Sequence, residues 1–268
     1  MLEIILDEFH PSTMWNGGIF IYISFVLIIY FLLLPPSKNH SLKKSIVFIL
    51  GLLAIFASLG SPINVIARIM YSSHIIQLVL LFFVAPPLLI YGFKYEIIER
   101  WKKNETFAYM LKIVTNPWVA LVTFYVLFYS YHIPAVFNSV RLDLFANYFA
   151  MIVLFIAAIL LFHPLLLNTS LSDKTKWTYA LLNILLIVPY SVILIVADSG
   201  IYALYTDVRL FMSSIMVCLP DADLMTPEFF RALMPFDPVM EQLRGGILLL
   251  IAQVAIFTTV GFLGRKRK

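Results

Sequence analysis

The chain has 268 residues, of which 62% are hydrophobic and 13% charged, and its mean hydropathy is +0.94. An ordinary soluble domain is about half apolar and about one quarter charged, so this composition excludes a soluble core and makes lipid the solvent. A single cysteine rules out an internal disulfide scaffold, and apolar residues spread along the whole length rule out a soluble enzyme on one tether.

The first 37 residues contain no Lys or Arg, so the basic region of a cleavable signal peptide is missing and the first apolar run is expected to be retained. A crossing needs about 20 mainly apolar residues. Such runs are predicted at 19–34 (ended by Pro35 and Pro36), 45–60, 73–92, 117–133, 145–167, 179–197 and 245–263. The expected fold is all-α: one integral membrane domain over 1–268, a bundle with seven transmembrane helices. Within the third run Pro86 and Pro87 withdraw two backbone donors, which predicts a kinked or loosened helix. Asn116 followed by Pro117 is a start signal for the fourth, which His132 and Pro134 interrupt at its end. Gly245 and Gly246 open the seventh and permit close backbone approach. A further run at 208–219 is too short to cross, so 198–244 is expected to be one long extracytoplasmic loop.

Lys and Arg in the loops give an independent orientation. One side of the seven-run scheme holds 14 of the 19 basic residues, including all 11 lysines and the tail Arg265 to Lys268. The other side keeps Arg68, Arg141, Arg209, Arg231 and Arg244 with 11 of the 15 acids, among them Glu3, Asp7 and Glu8. This predicts an extracytoplasmic N-terminus and a cytoplasmic C-terminus. It also explains the net charge of +4 by the anionic cytoplasmic leaflet, with no nucleic-acid partner implied.

Polar groups at membrane depth are expensive unless paired or functional. The orientation puts His74 and His132 at the outer ends of the third and fourth runs, on one level, while His163 lies at the cytoplasmic end and His10 and His40 flank the spans. The long loop adds Cys218, Met212, Met216, Met225 and Met234, and the acids Asp221, Asp223, Glu228, Asp237 and Glu241. Imidazole, thiolate and thioether ligands together suit copper(I), making His74, His132, Cys218 and Glu241 the candidate metal ligands. The competing reading is packing: histidines at span ends commonly bond carbonyls or headgroups, and a lone cysteine is commonly a small apolar filler. No ionisable residue sits at a span centre, which argues against an ion-coupled transporter, and no span holds the lysine of a retinal protein. A small-solute or ion transporter and a membrane-embedded enzyme are the alternatives left open.

Three segments carry a family resemblance. Ser72-Ser73-His74-Ile75-Ile76-Gln77 leading through Ala85-Pro86-Pro87-Leu88-Leu89 to Gly92, Tyr131-His132-Ile133-Pro134, and Asp237-Pro238 through Glu241-Gln242 to Gly245-Gly246 together resemble the seven-helix CtaG family of bacterial cytochrome c oxidase assembly factors. The resemblance covers about residues 15–263. It implies a multi-pass protein of the bacterial plasma membrane that helps mature a haem-copper oxidase, a chaperone and not a turnover enzyme, with oxidase subunits and the bilayer as partners and copper(I) as cargo. The chain departs from the family at Leu78, where many members carry a second histidine, and at Asn147 and Tyr148, where histidines are frequent. Glu241-Gln242 replaces the usual Asp-Gln.

Overall fold

The computed structural model describes residues 10–34, 40–216, 226, 228, 234 and 237–265. Among these residues there is no strand; the architecture is all-helical. Helix starts follow local chemistry. Asn16, Ser41, Ser61, Asn116, Asp143 and Ser172 each accept a bond from a backbone N–H of the turn they precede, satisfying donors that the helix itself cannot.

The first apolar run forms α1 (Gly17–Ile28), which continues as a π-helical turn to Leu33. After it come α2 (Leu42–Leu59), the short α3 (Pro62–Ile69) and α4 (Tyr71–Gly92). The expected disturbance in α4 takes the form of a π turn at Val79–Val84, immediately before the two prolines. Pro86 and Pro87 cannot bond back to Phe82 and Phe83, and Ala85 N–H reaches Leu80 O, so the wide turn absorbs the missing donors without ending the helix. Gly92 then lets α4 cross α2 closely, since a Cβ there would lie 2.5 Å from Lys44 O and 2.6 Å from Phe48 N.

Next are α5 (Glu105–Val114) and α6 (Pro117–Tyr131), bent by 60° at the break between them. They lead into the short α7 (Pro134–Leu142), then α8 (Leu144–Leu166) and α9 (Asp173–Val196). The expected long loop is partly structured: Ala203–Tyr205 is a 3₁₀ turn and Val208–Met216 is α10, nine residues and too short to cross. The last helix, α11 (Pro238–Arg265), begins seven residues earlier than the apolar run at 245–263 because Asp237 and Pro238 supply an acceptor for Val239 N–H and a first-turn proline.

Five helices are long and apolar enough to cross a membrane, six if the bent pair α5 and α6 is one span. The apolar α1 segment Gly17–Leu33 is shorter. Side chains on the outside of the bundle are those lipid would solvate: Leu32 is 76% and Phe145 79% exposed. One continuous core runs between α2, α4, α6, α8, α9 and α11, and a small second core joins Met14, Val65, Ile69, Phe211 and Ile215 beneath α3 and α10.

Candidate functional site

The start of α4 carries Tyr71, His74 and Gln77 on one face, all buried. Tyr131 and His132 arrive from the end of α6, Phe137 from α7, Tyr190 from α9, and Tyr202 and Tyr205 from the 3₁₀ turn. These side chains form one aromatic nest. The His74 ring lies 5.2 Å from Phe137 and 6.1 Å from Tyr131; the His132 ring lies 6.4 Å and 4.9 Å from the same two rings. The two histidines that sequence reading placed on one level therefore share one cluster, whereas His163 lies within α8, about five helical turns from its N-terminal end.

Both imidazoles are oriented by their Nδ1 atoms. His132 Nδ1–H donates to Phe128 O at 2.7 Å, and His74 Nδ1–H donates to Gln77 Oε1 at 3.3 Å. The Gln77 amide is itself oriented, because its Nε2 donates to Ser58 O at 3.0 Å and to Asn64 Oδ1 at 2.8 Å, leaving Oε1 for His74. In each histidine this assigns the lone pair to Nε2, and both Nε2 atoms are buried without a hydrogen-bond partner among the described residues. A chain of hydroxyls closes the nest: Tyr71 to Tyr190, Tyr190 to Tyr202 at 2.7 Å, and Tyr202 to His132 O at 3.1 Å. Burial pushes the Tyr202 hydroxyl up to about 12, so it remains a donor at neutral pH.

Glu241 is buried, yet both its oxygens are engaged. Ser72 donates to Oε2 through its hydroxyl and through its N–H at 3.3 Å, and Arg244 donates to Oε1 at 2.9 Å. Met70 has no side chain to cap α4, so Glu241 supplies the cap from α11. Its neighbour Gln242 accepts from Ile201 N–H at 2.6 Å and donates to Ser199 O at 3.0 Å, holding the segment before Tyr202 against the bundle. Glu241 also lines a void of about 10 Å³ with Tyr71 and Tyr205, enough for about one water. Among the described residues no three His, Cys, Asp or Glu side chains are grouped as a metal site. Cys218, Asp221 and Asp223 lie outside the described residues.

Sequence reading missed two residues. Arg68 and Arg141, counted there as outer loop charges, are 2% and 0% exposed. Arg68 Nη1 donates to Arg141 O at 2.9 Å and to Ser214 O at 3.1 Å; Arg141 donates to Ala67 O at 2.8 Å and to Asn147 Oδ1 at 3.2 Å. The three carbonyls belong to the last turns of α3, α7 and α10, where helix dipoles favour a cation. Tyr205 OH also donates to Ala67 O, at 2.8 Å, which joins the arginine cluster to the nest. The only signal in the sequence was an arginine at the end of each of two short amphipathic segments.

No curated protein and no solved structure matches the chain. The family model described as cytochrome c oxidase caa3 assembly factor (Caa3_CtaG) matches residues 26–264, a stretch that contains the whole nest together with Glu241 and Gln242. With its apolar helical bundle and this match over nearly its full length, the chain is a multi-pass membrane protein that belongs to the family of cytochrome c oxidase caa3 assembly factors.

Proposed function

We propose that this protein is a chaperone of oxidase maturation that works from the extracytoplasmic side of a seven-span single domain, and that copper(I) is the cargo it handles. The seven proposed spans, 19–34, 45–60, 73–92, 117–133, 145–167, 179–197 and 245–263, fall on α1, α2, α4, α6, α8, α9 and α11. Cytochrome c oxidase components are the partners that the family description implies. The observation that carries the copper reading is the pair of buried Nε2 lone pairs of His74 and His132 in one nest, unclaimed among the described residues. Neutral imidazoles are good ligands for a soft monovalent ion, and the fixed Nδ1 bonds hold each ring in the ligating tautomer. Cys218 is an optional third, thiolate ligand. Glu241 acts by capping α4 and so by positioning His74 one turn further on, and the site performs no turnover chemistry.

Titration of the purified protein with copper(I) against a competing chelator under reducing conditions tests this. About one copper(I) per monomer is expected, with His74→Ala and His132→Ala each weakening binding at least tenfold, in the range seen when a site loses an essential support. Absence of uptake by the wild type removes copper from the proposal. Loss of oxidase activity on gene deletion that excess copper does not restore would then support chaperoning alone.

A further inference from the structure

A groove of about 430 Å³ lies against the beginning of α9, away from the aromatic nest, lined by Lys174, Trp177, Thr178 and Leu181. These are positions i, i+3, i+4 and i+7, so a single face of α9 carries all four. The stripe is ordered by depth. Lys174 and Thr178 are exposed, and neither takes part in a hydrogen bond or ion pair among the described residues. Leu181 is 54% exposed and sits about 10 Å further along the axis at 1.5 Å per residue. Leu185, 56% exposed, continues the path one turn on. Trp177 packs edge-on against Phe262 of α11 at 4.9 Å, which fixes the indole on that face. The adjacent Lys176 is not available to a ligand, since its ammonium is buried and donates to Gly264 O at 3.0 Å.

A cation and a hydroxyl therefore stand toward the end of a span, an indole lies between them in depth, and an apolar track leads into the membrane. A soluble anion could use the first two groups but has nothing to place along the track. We propose that this groove binds one anionic phospholipid, its phosphodiester on Lys174 and Thr178 and an acyl chain along Leu181 and Leu185. Charge complementarity selects an anionic over a zwitterionic headgroup, because a basic residue near a membrane surface favours anionic lipid.

Native mass spectrometry of the full-length protein, delipidated in detergent and offered equimolar phosphatidylglycerol and phosphatidylcholine, tests the site. Retention of one phosphatidylglycerol per chain is expected, and Lys174→Gln should lower the ratio of retained phosphatidylglycerol to phosphatidylcholine roughly fivefold. Lys112→Gln, on an exposed face of α5 outside the groove, should leave the ratio unchanged. Leu181→Trp, at a position the fold leaves open, should reduce retention of both lipids. Equal retention of the two lipids by the wild type, an unchanged ratio in Lys174→Gln, or release of the bound lipid by inorganic phosphate overturns the proposal.

Discussion

Burying two guanidinium groups is costly, and the way Arg68 and Arg141 offset part of that cost shows how the nest end of the bundle is held. Their bonds run to the carbonyls of Arg141, Ser214 and Ala67, in the last described turns of three short helices, and Ala67 O takes a second bond from Tyr205 OH. Each arginine therefore works as a shared cap, and together they fasten α3, α7 and α10 over the histidine nest. Arg141→Met keeps the volume but takes the donor from Asn147 Oδ1 and leaves Ala67 O with Tyr205 alone, so it should lower the unfolding free energy by about 1–3 kcal/mol. Arg209→Met, on an exposed position of α10, should change it by less than about 0.5 kcal/mol. Unfolding in mixed micelles measures both; equal values would show that the buried contacts contribute nothing. His74 and His132 were legible in the sequence because depth along a span follows directly from residue count. The arginines were not, because a count assigns a charge to a loop and says nothing about which face of a short helix folds inward.

Between elements, close contact is set by glycine and proline. Gly92 brings α2 and α4 together at backbone distance after the π turn has absorbed the two prolines, and Gly246 does the same for α11, where a Cβ would lie 2.8 Å from Ser191 O. Gly92→Ala should destabilise the protein by about 1–3 kcal/mol, since backbone atoms of α2 cannot move aside as a flexible side chain can. Gly17→Ala, where an added Cβ meets nothing within 4 Å, is the control and should be neutral or slightly stabilising. A thermal scan that fails to separate the two variants would remove the close crossing as a determinant of the fold. Helix starts with a side-chain acceptor were readable in advance, as at Asn116. The start of α11 was obscured because Glu241, Gln242 and Arg244 look like loop residues until Ser72, Ile201 and Ser199 are seen to satisfy them.

At the scale of the whole molecule, one property of the sequence organises the rest: lysine on one side and acid on the other. The long helices place Lys94, Lys102, Lys103 and Lys112 at one end of the bundle and the nest, with α7 and α10, at the other. If the positive-inside bias orients the chain, the nest faces outward. In a Cys218→Ser background, Ser139→Cys on the exposed face of α7 should react with a membrane-impermeant maleimide in intact spheroplasts. Lys103→Cys, at the opposite end of the bent α5 and α6 pair, should react only after permeabilisation. The reverse pattern would put the histidines on the cytoplasmic side, and with them any cargo they hold; the same experiment therefore decides from which compartment an assembly factor of this build reaches its oxidase. Labelling of both positions without permeabilisation would break the bent pair as one crossing and reduce the span count to the five long helices.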